Sequence, residues 1–339
     1  MRGFIRFFLL VVAAVVAATC VRRPLYDLES AHYVRVYLNE EIKNVTVGFY
    51  NHRRPDKEYR RPAALEIALA DVHTGEIVAK ALLRNAGSDE RGYYLDGYVG
   101  VEEGQYDVVI YEVGSAVTLL MGEGNFSDIA AYTNVVSERL MGYIPSLRNE
   151  MDTTKLVLQP DHLFHGVYED LYVPATMKVD TLRDVNGDFF SAHTVVKTYY
   201  MQLGITGARW VSSAVAVLSG MGGSTMLGEH NGVVESDSVS LFFWAQHDEQ
   251  EGVLYATFNT FGKLENVKSA LALNFEFVKI DGSSQVEVMD ITEVFNTPVV
   301  MDKQWIFIDK EITITAPQNT GGVTPGVGGW GDFGADLPM

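Results

Sequence analysis

Only one residue in this 339-residue chain has a side chain type and a setting that together specify a reaction: Cys20, its sole cysteine. Arg2 and Arg6 lie in or next to a short basic start, and the stretch from Phe7 to Thr19 carries no charge. A basic n-region followed by a short apolar h-region and small residues is an export signal, too short to cross a bilayer as a helix. Ala17-Ala18-Thr19-Cys20 then matches a bacterial lipobox, in which the thiol after small residues receives diacylglycerol on export. Ala17 stands where Leu is usual and Thr19 where Gly or Ala is usual. The alternative is an ordinary cleaved signal with an incidental cysteine. Acyl chains contribute about 0.8 kcal/mol per buried CH2, so several on one cysteine hold a protein firmly on a membrane.

Other chemistry-bearing residues are weaker signals. His162 and His165 form His-x-x-His, but the surrounding Gln159 to His165 reads as a loop entering a strand, which would turn the two rings to opposite faces. Asp184-Val185-Asn186-Gly187-Asp188 has the oxygen-rich rhythm of a calcium loop without the distal bidentate Glu, and Asn-Gly reads as a hairpin turn. Gly220 to Ser224 is glycine-rich, but no Lys follows, so it reads as a turn between strands. No nucleophile elbow, Walker loop or His-Glu-x-x-His occurs. Catalytic, cofactor and metal sites are therefore not expected, and the chain does not read as an enzyme. Asp152-Thr153-Thr154, Asp180-Thr181-Leu182 and Asp237-Ser238-Val239 fit the O-glycosylation pattern of Bacteroidetes, making Thr153, Thr181 and Ser238 candidate acceptors. Ser or Thr after Asp is also common turn chemistry.

The elements that would carry these residues are strands. Period-two alternation recurs in Tyr33 to Leu38, Val45 to Tyr50, Leu65 to Leu69, Ile77 to Leu83 and Gly104 to Tyr111. It returns in Thr194 to Met201, Val211 to Leu218, Val239 to Ala245, Val253 to Phe258, Ala270 to Ile280, Gln285 to Ile291 and Trp305 to Ile314. One helix is expected between them: Ser127 can cap it, and Ile129, Tyr132, Val135, Val136 and Leu140 recur at helical spacing. The predicted organisation is a signal peptide at 1–19, a lipidated tether at 20–30, a β-sandwich at 31–160, a second at 161–316, and a Gly-rich tail at 317–339. Within the tail, Trp330, Phe333 and Leu337 are possible anchors.

Charge narrows the partners. With 26 Lys+Arg against 44 Asp+Glu the net charge is −18, and loss of the two signal arginines makes the exported body −20. Phosphate contacts need clustered cations, so nucleic acid is excluded. One cysteine also rules out a disulfide framework.

Several stretches resemble a known family. Arg22-Arg23-Pro24-Leu25-Tyr26-Asp27-Leu28 after the lipobox, Ala130 to Asn134, Gln159 to Phe164, Val288 to Val294 and Ile306 to Ile314 are similar to the Bacteroidales fimbrial-subunit lipoproteins. That group holds minor-fimbria and fimbrillin-associated anchor and tip proteins and their uncharacterised relatives. Ile291 is a conservative departure, since the family pattern there is Asp-Val-Thr. The resemblance implies two tandem transthyretin-like antiparallel sandwiches with one crossover helix in the first. It implies a non-enzymatic anchor, tip or adhesion accessory subunit of the outer membrane that joins fimbrial neighbours by β-strand addition. Val21-Arg22-Arg23 departs from the acidic residues that often follow the cysteine in surface-displayed relatives, leaving either leaflet orientation open. The alternative function is an outer-membrane glycan-binding lipoprotein using Trp210, Trp244, Trp305, Tyr199 and Tyr200.

Overall fold

The computed structural model describes residues 31–39, 61–149, 153–175, 181–228, 232–234, 236–264 and 271–317. The signal, Cys20, the tether, the strand expected at Val45 to Tyr50 and the tail from 318 lie outside the described residues. Among the described residues no helix is long and apolar enough to cross a membrane.

The chain is mainly β. Its first strands are β1 (Ala31–Asn39), β2 (Leu65–Asp71), β3 (Ile77–Leu83), β4 (Asn85–Asp89), β5 (Gly92–Gly100) and β6 (Gly104–Glu112). β7 (Thr118–Met121), β8 (Ala130–Thr133), β9 (Leu156–Leu158), β10 (Phe164–Val173), β11 (Thr181–Leu182) and β12 (Phe190–Thr194) follow. Next come β13 (Lys197–Thr206), β14 (Val211–Gly222), β15 (Ser224–Met226), β16 (Gly232–Val233) and β17 (Ser238–Asp248). β18 (Val253–Thr260), β19 (Ala272–Lys279), β20 (Ser284–Asp290) and β21 (Trp305–Thr313) complete the set.

Nine strands form the first sheet, in the order β3-β2-β6-β10-β12-β1-β5-β4 with β11 beside β1. It folds back on itself, so Val34 and Val36 of β1 share a core with Ile67 of β2, Leu83 of β3, Ile110 of β6 and Phe190 of β12. The two layers approach closely where β5 has Gly97: a Cβ there would lie 3.1 Å from Leu83 Cδ2. The second sheet runs β20-β19-β14-β17-β18-β13-β21, with β9 beside β17. Its corner is β17, whose residues Ser238 to Ala245 pair with β14 and Gln246 to Asp248 with β18. The core between its layers includes Phe243 stacked on Phe258, ring centroids 4.3 Å apart.

A four-stranded sheet, β16-β15-β8-β7, links the two halves. It packs on the outer face of the first sheet, where Ala68, Ala70, Val109 and Tyr111 meet Ile129, Ala131 and Leu227. Burial on both faces explains why β2 is apolar at nearly every position.

Three expectations need correction. The segment from Ser127 to Leu140 is not one helix. It is a 3-10 turn (Phe126–Asp128) capped by the Asn125 side chain, then β8, then a four-residue helix (Glu138–Met141). β8 lies between β7 and β15, whose ladders satisfy both its edges, and Ile129 and Ala131 are wholly buried. A strand covered on both faces loses its alternation, so its apolar residues matched a helical period by spacing alone. Asn186-Gly187 does not join a hairpin either: β11 and β12 both run parallel to β1. Between them Asp184 Oδ1 accepts from the N–H groups of Asn186 at 3.0 Å and Asp188 at 2.8 Å. Gly220 to Ser224 makes no reversal; Gly220, at φ 85°, is a bulge within β14, and the chain continues into β15.

The boundary expected at Pro160–Asp161 falls between β9 and β10. β9, before it, joins the second sheet, while β10, β11 and β12, after it, join the first.

Candidate functional site

The expected acceptors are not gathered in one place. Thr153 opens a 3-10 turn (Thr153–Lys155) and is half-buried. Ser238 starts β17 and, with Lys155, Tyr132, Thr133 and Asp237, lines a pocket of about 260 Å3 between the small sheet and the second sandwich. Asp237 there accepts the Ser224 hydroxyl at 2.7 Å. Thr181 lies on the other sandwich, beside Tyr33. The two histidines diverge: His162 packs its ring on Phe164, whereas His165 Nε2 is 2.6 Å from the Leu227 carbonyl oxygen. Of the aromatics proposed for glycan stacking, Trp305, Tyr199 and Tyr200 are buried. Trp244 is 42% exposed but meets Tyr143 edge-on at 74°, so the pair offers no flat platform.

The structure assembles a different group on the first sandwich. β1 and β5 pair antiparallel with Tyr33 opposite Tyr98, Arg35 opposite Asp96 and Tyr37 opposite Tyr94. Alternate residues of a strand face opposite sides, so burying Val34, Val36 and Leu38 turns Tyr33, Arg35 and Tyr37 outward. On β5, burying Leu95 and Val99 does the same for Tyr94, Asp96 and Tyr98. β4 adds Asp89, and Phe189 enters beside Tyr37 from just before β12.

Arg35 organises the centre of this face. Its guanidinium lies 3.9 Å from the Tyr94 ring centroid, with Nη1 3.2 Å from Asp89 and Nη2 donating to the Tyr33 hydroxyl at 3.2 Å. The Tyr37 hydroxyl donates to Asp89 at 2.7 Å, and that of Tyr33 donates to Asp96. Tyr94 lies over Gly87 of β4, where a Cβ would fall 2.3 Å from the ring Cζ. Hydrogen bonding to Tyr37 is the leading cause that raises the Arg35 pKa further, while the Tyr37 hydroxyl leads in holding Asp89 below the usual carboxylate range. Burial raises the pKa of both phenols, Tyr33 and Tyr37. At neutral pH the face therefore holds a fixed guanidinium, the ionised Asp89 carboxylate and neutral phenol donors.

Two further guanidiniums flank it. Arg183 lies 4.0 Å and Arg91 4.8 Å from the Phe189 ring centroid. Both are exposed, and among the described residues neither is within ion-pair distance of a carboxylate. No familiar motif marks this face in the sequence, although a signal is present. Tyr-x-Arg-x-Tyr at 33–37 and Tyr-x-Asp-x-Tyr at 94–98 are complementary when two strands pair antiparallel.

Comparison with known proteins bears on the fold and the family. Residues 85–244 match the family described as a domain of unknown function, DUF5119. A Bacteroides ovatus protein provisionally described as the fimbrium anchoring subunit Fim4B is 26% identical over 275 residues, 72% of this chain and 78% of that protein. The chain resembles the fimbrial subunits of Bacteroidales. Its fold is shared with a crystal structure from Bacteroides ovatus, provisionally described as an adhesin. That likeness has a TM-score of 0.58 at 19% identity, over 88% of this chain and 98% of the other. A second Bacteroides ovatus structure with the same description matches at a TM-score of 0.50 and 10% identity, over 84% and 90% of the two chains. At such identities the likeness is one of fold.

Proposed function

We propose that this chain is a lipid-anchored, non-enzymatic accessory subunit of an outer-membrane fimbrium, an anchor or tip component built from two transthyretin-like sandwiches. The observation that carries the reading is the similarity to a fimbrium anchoring relative along 72% of the chain. The lone cysteine at the end of an export signal supplies the membrane attachment, and β1 begins eleven residues after it. The tether therefore leads directly into a strand bonded on both sides, by β5 and by β11 and β12. Strand addition to a neighbour needs an edge with unpaired backbone groups. β3 and β4 end the first sheet, and β20 and β21 end the second.

Intact-mass analysis of the protein recovered from outer membranes tests both the anchor and the modifications. The expected product begins at Cys20 with an added diacylglycerol and acyl mass, and Cys20→Ala leaves the membrane pellet. An unlipidated wild type, or a Cys20→Ala variant still in the pellet, removes the anchor. A sugar-sized mass increment lost in Thr153→Ala, Thr181→Ala or Ser238→Ala identifies the glycosylated position. Co-purification with a fimbrial polymer is the expected partner result, and a deletion strain with unchanged fimbriae and adhesion overturns the subunit role.

A further inference from the structure

We propose that the outer face of β4, β5 and β1 binds a carboxylate-bearing polysaccharide, with Arg91 and Arg183 taking the carboxylates and Tyr98 stacking on a sugar ring. The first support is charge. In a chain with 44 acidic residues, two exposed guanidiniums meet at one ring: among the described residues Arg183 has no carboxylate within ion-pair distance, and Arg91 has only the field of Asp89. Both lie within cation–π distance of one ring, Phe189, a contact that removes part of the rotamer entropy that binding would otherwise cost. A planar guanidinium is suited to a carboxylate, which it can grip with two parallel hydrogen bonds, although Arg183 Nη1 also donates to the Gly187 carbonyl at 3.2 Å.

The second support is the rest of the face. Tyr98 is 65% exposed, yet its ring is set edge-on against Tyr33 with centroids 5.4 Å apart. Asp96 lies two residues along β5 from it and accepts the Tyr33 hydroxyl, while Asp89 lies at the far end of the hairpin opposite Gly92, so sugar hydroxyls along the face would meet acceptors as well as donors. The third support is what the face excludes. β1 and β5 are each bonded on both edges, so a peptide cannot add to either as a strand, and recognition at the centre of the face runs through side chains. Apart from Ala31 the outward residues of β1, β4 and β5 include no aliphatic side chain, and a charge pair, Arg35 and Asp96, stands at the centre. Protein interfaces deplete charge at their centre.

The test is affinity electrophoresis of the full chain against polygalacturonate, alginate and hyaluronan, with neutral dextran and poly-glutamate as comparisons. Binding to at least one carboxylated polysaccharide is expected, with none to dextran and at least tenfold weaker binding to poly-glutamate. Arg91→Gln combined with Arg183→Gln should weaken it at least tenfold, and Tyr98→Ala about fivefold, at unchanged melting temperature. Arg148→Gln, which removes an exposed arginine paired with Glu138, should change nothing. The proposal fails if no carboxylated polysaccharide binds or if poly-glutamate binds as tightly. It also fails if Tyr98→Ala is silent or Arg148→Gln costs as much as the double variant.

Discussion

His165 is 3% exposed on β10, and its Nε2–H donates to the Leu227 carbonyl at 2.6 Å. That bond joins the first sandwich to the segment leaving β15. Burial is the leading cause that lowers the His165 pKa below 6.5, and burial lowers those of His32 and His247 as well. The native state therefore resists a proton that the unfolded chain accepts near 6.5. Stability is fully present above that pH and falls as the pH drops through and below it. Melting temperatures measured from pH 7.5 to 5 should decline for the wild type. His165→Gln should melt lower at pH 7.5 yet lose less on acidification; an identical acid slope in both proteins would exclude this histidine as a contributor. Glu276 makes a second such tie: wholly buried on β19, it accepts from the N–H groups of Ser146 at 2.9 Å and Leu147 at 3.1 Å. It thereby fastens the crossing between the sandwiches to the second one, and an unpartnered buried carboxylate would be costly there.

Among the elements, the small sheet depends on close backbone approach. A Cβ on Gly228 would fall 1.6 Å from the Phe126 carbonyl oxygen, beside the bond from the Leu227 N–H to the Ile129 carbonyl. Backbone cannot yield as a side chain tip does, so Gly228→Ala should cost about 1–3 kcal/mol in urea unfolding; a variant as stable as the wild type would show that this contact gives way. Sequence legibility followed the same logic of faces. β1, β17 and β18 are readable because one face is buried while residues of the other keep some exposure. β8 is not legible because partners lie on both its sides, and only the entry into β10 is, because a bulge between Tyr168 and Leu171 blurs the alternation beyond it. The Tyr, Arg and Asp face was half legible: each strand shows its own pattern, but neither reveals the partner.

At the scale of the whole molecule, the chain visits each sandwich more than once, and the small sheet draws β7 and β8 from one stretch and β15 and β16 from another. Two sandwiches laced in this way should unfold together. Thr225, at 3% exposure in β15, pairs with Ala131 on one side and Val233 on the other. Calorimetry of the wild type should give one cooperative transition with equal calorimetric and van't Hoff enthalpies. Thr225→Pro removes a ladder donor and should split or broaden it. Two resolved transitions in the wild type would mean that the small sheet does not couple the halves.

Local information sufficed for what the sequence by itself determined. The alternating strands, the acidic balance and the place of the one cysteine depend on neighbours within a few residues. Strand partnership is different. Arg35 meets Asp96 across a gap of 61 positions, and β11 and β12, far along the chain, lie on the other side of β1. A slip of one residue in either pairing would turn Val34 and Val36 to solvent and the tyrosines into the core. The register that buries both inner layers at once is therefore the one that brings arginine, aspartate and tyrosine together outside. Only the tertiary structure could decide it, because that burial is shared among strands no local pattern connects.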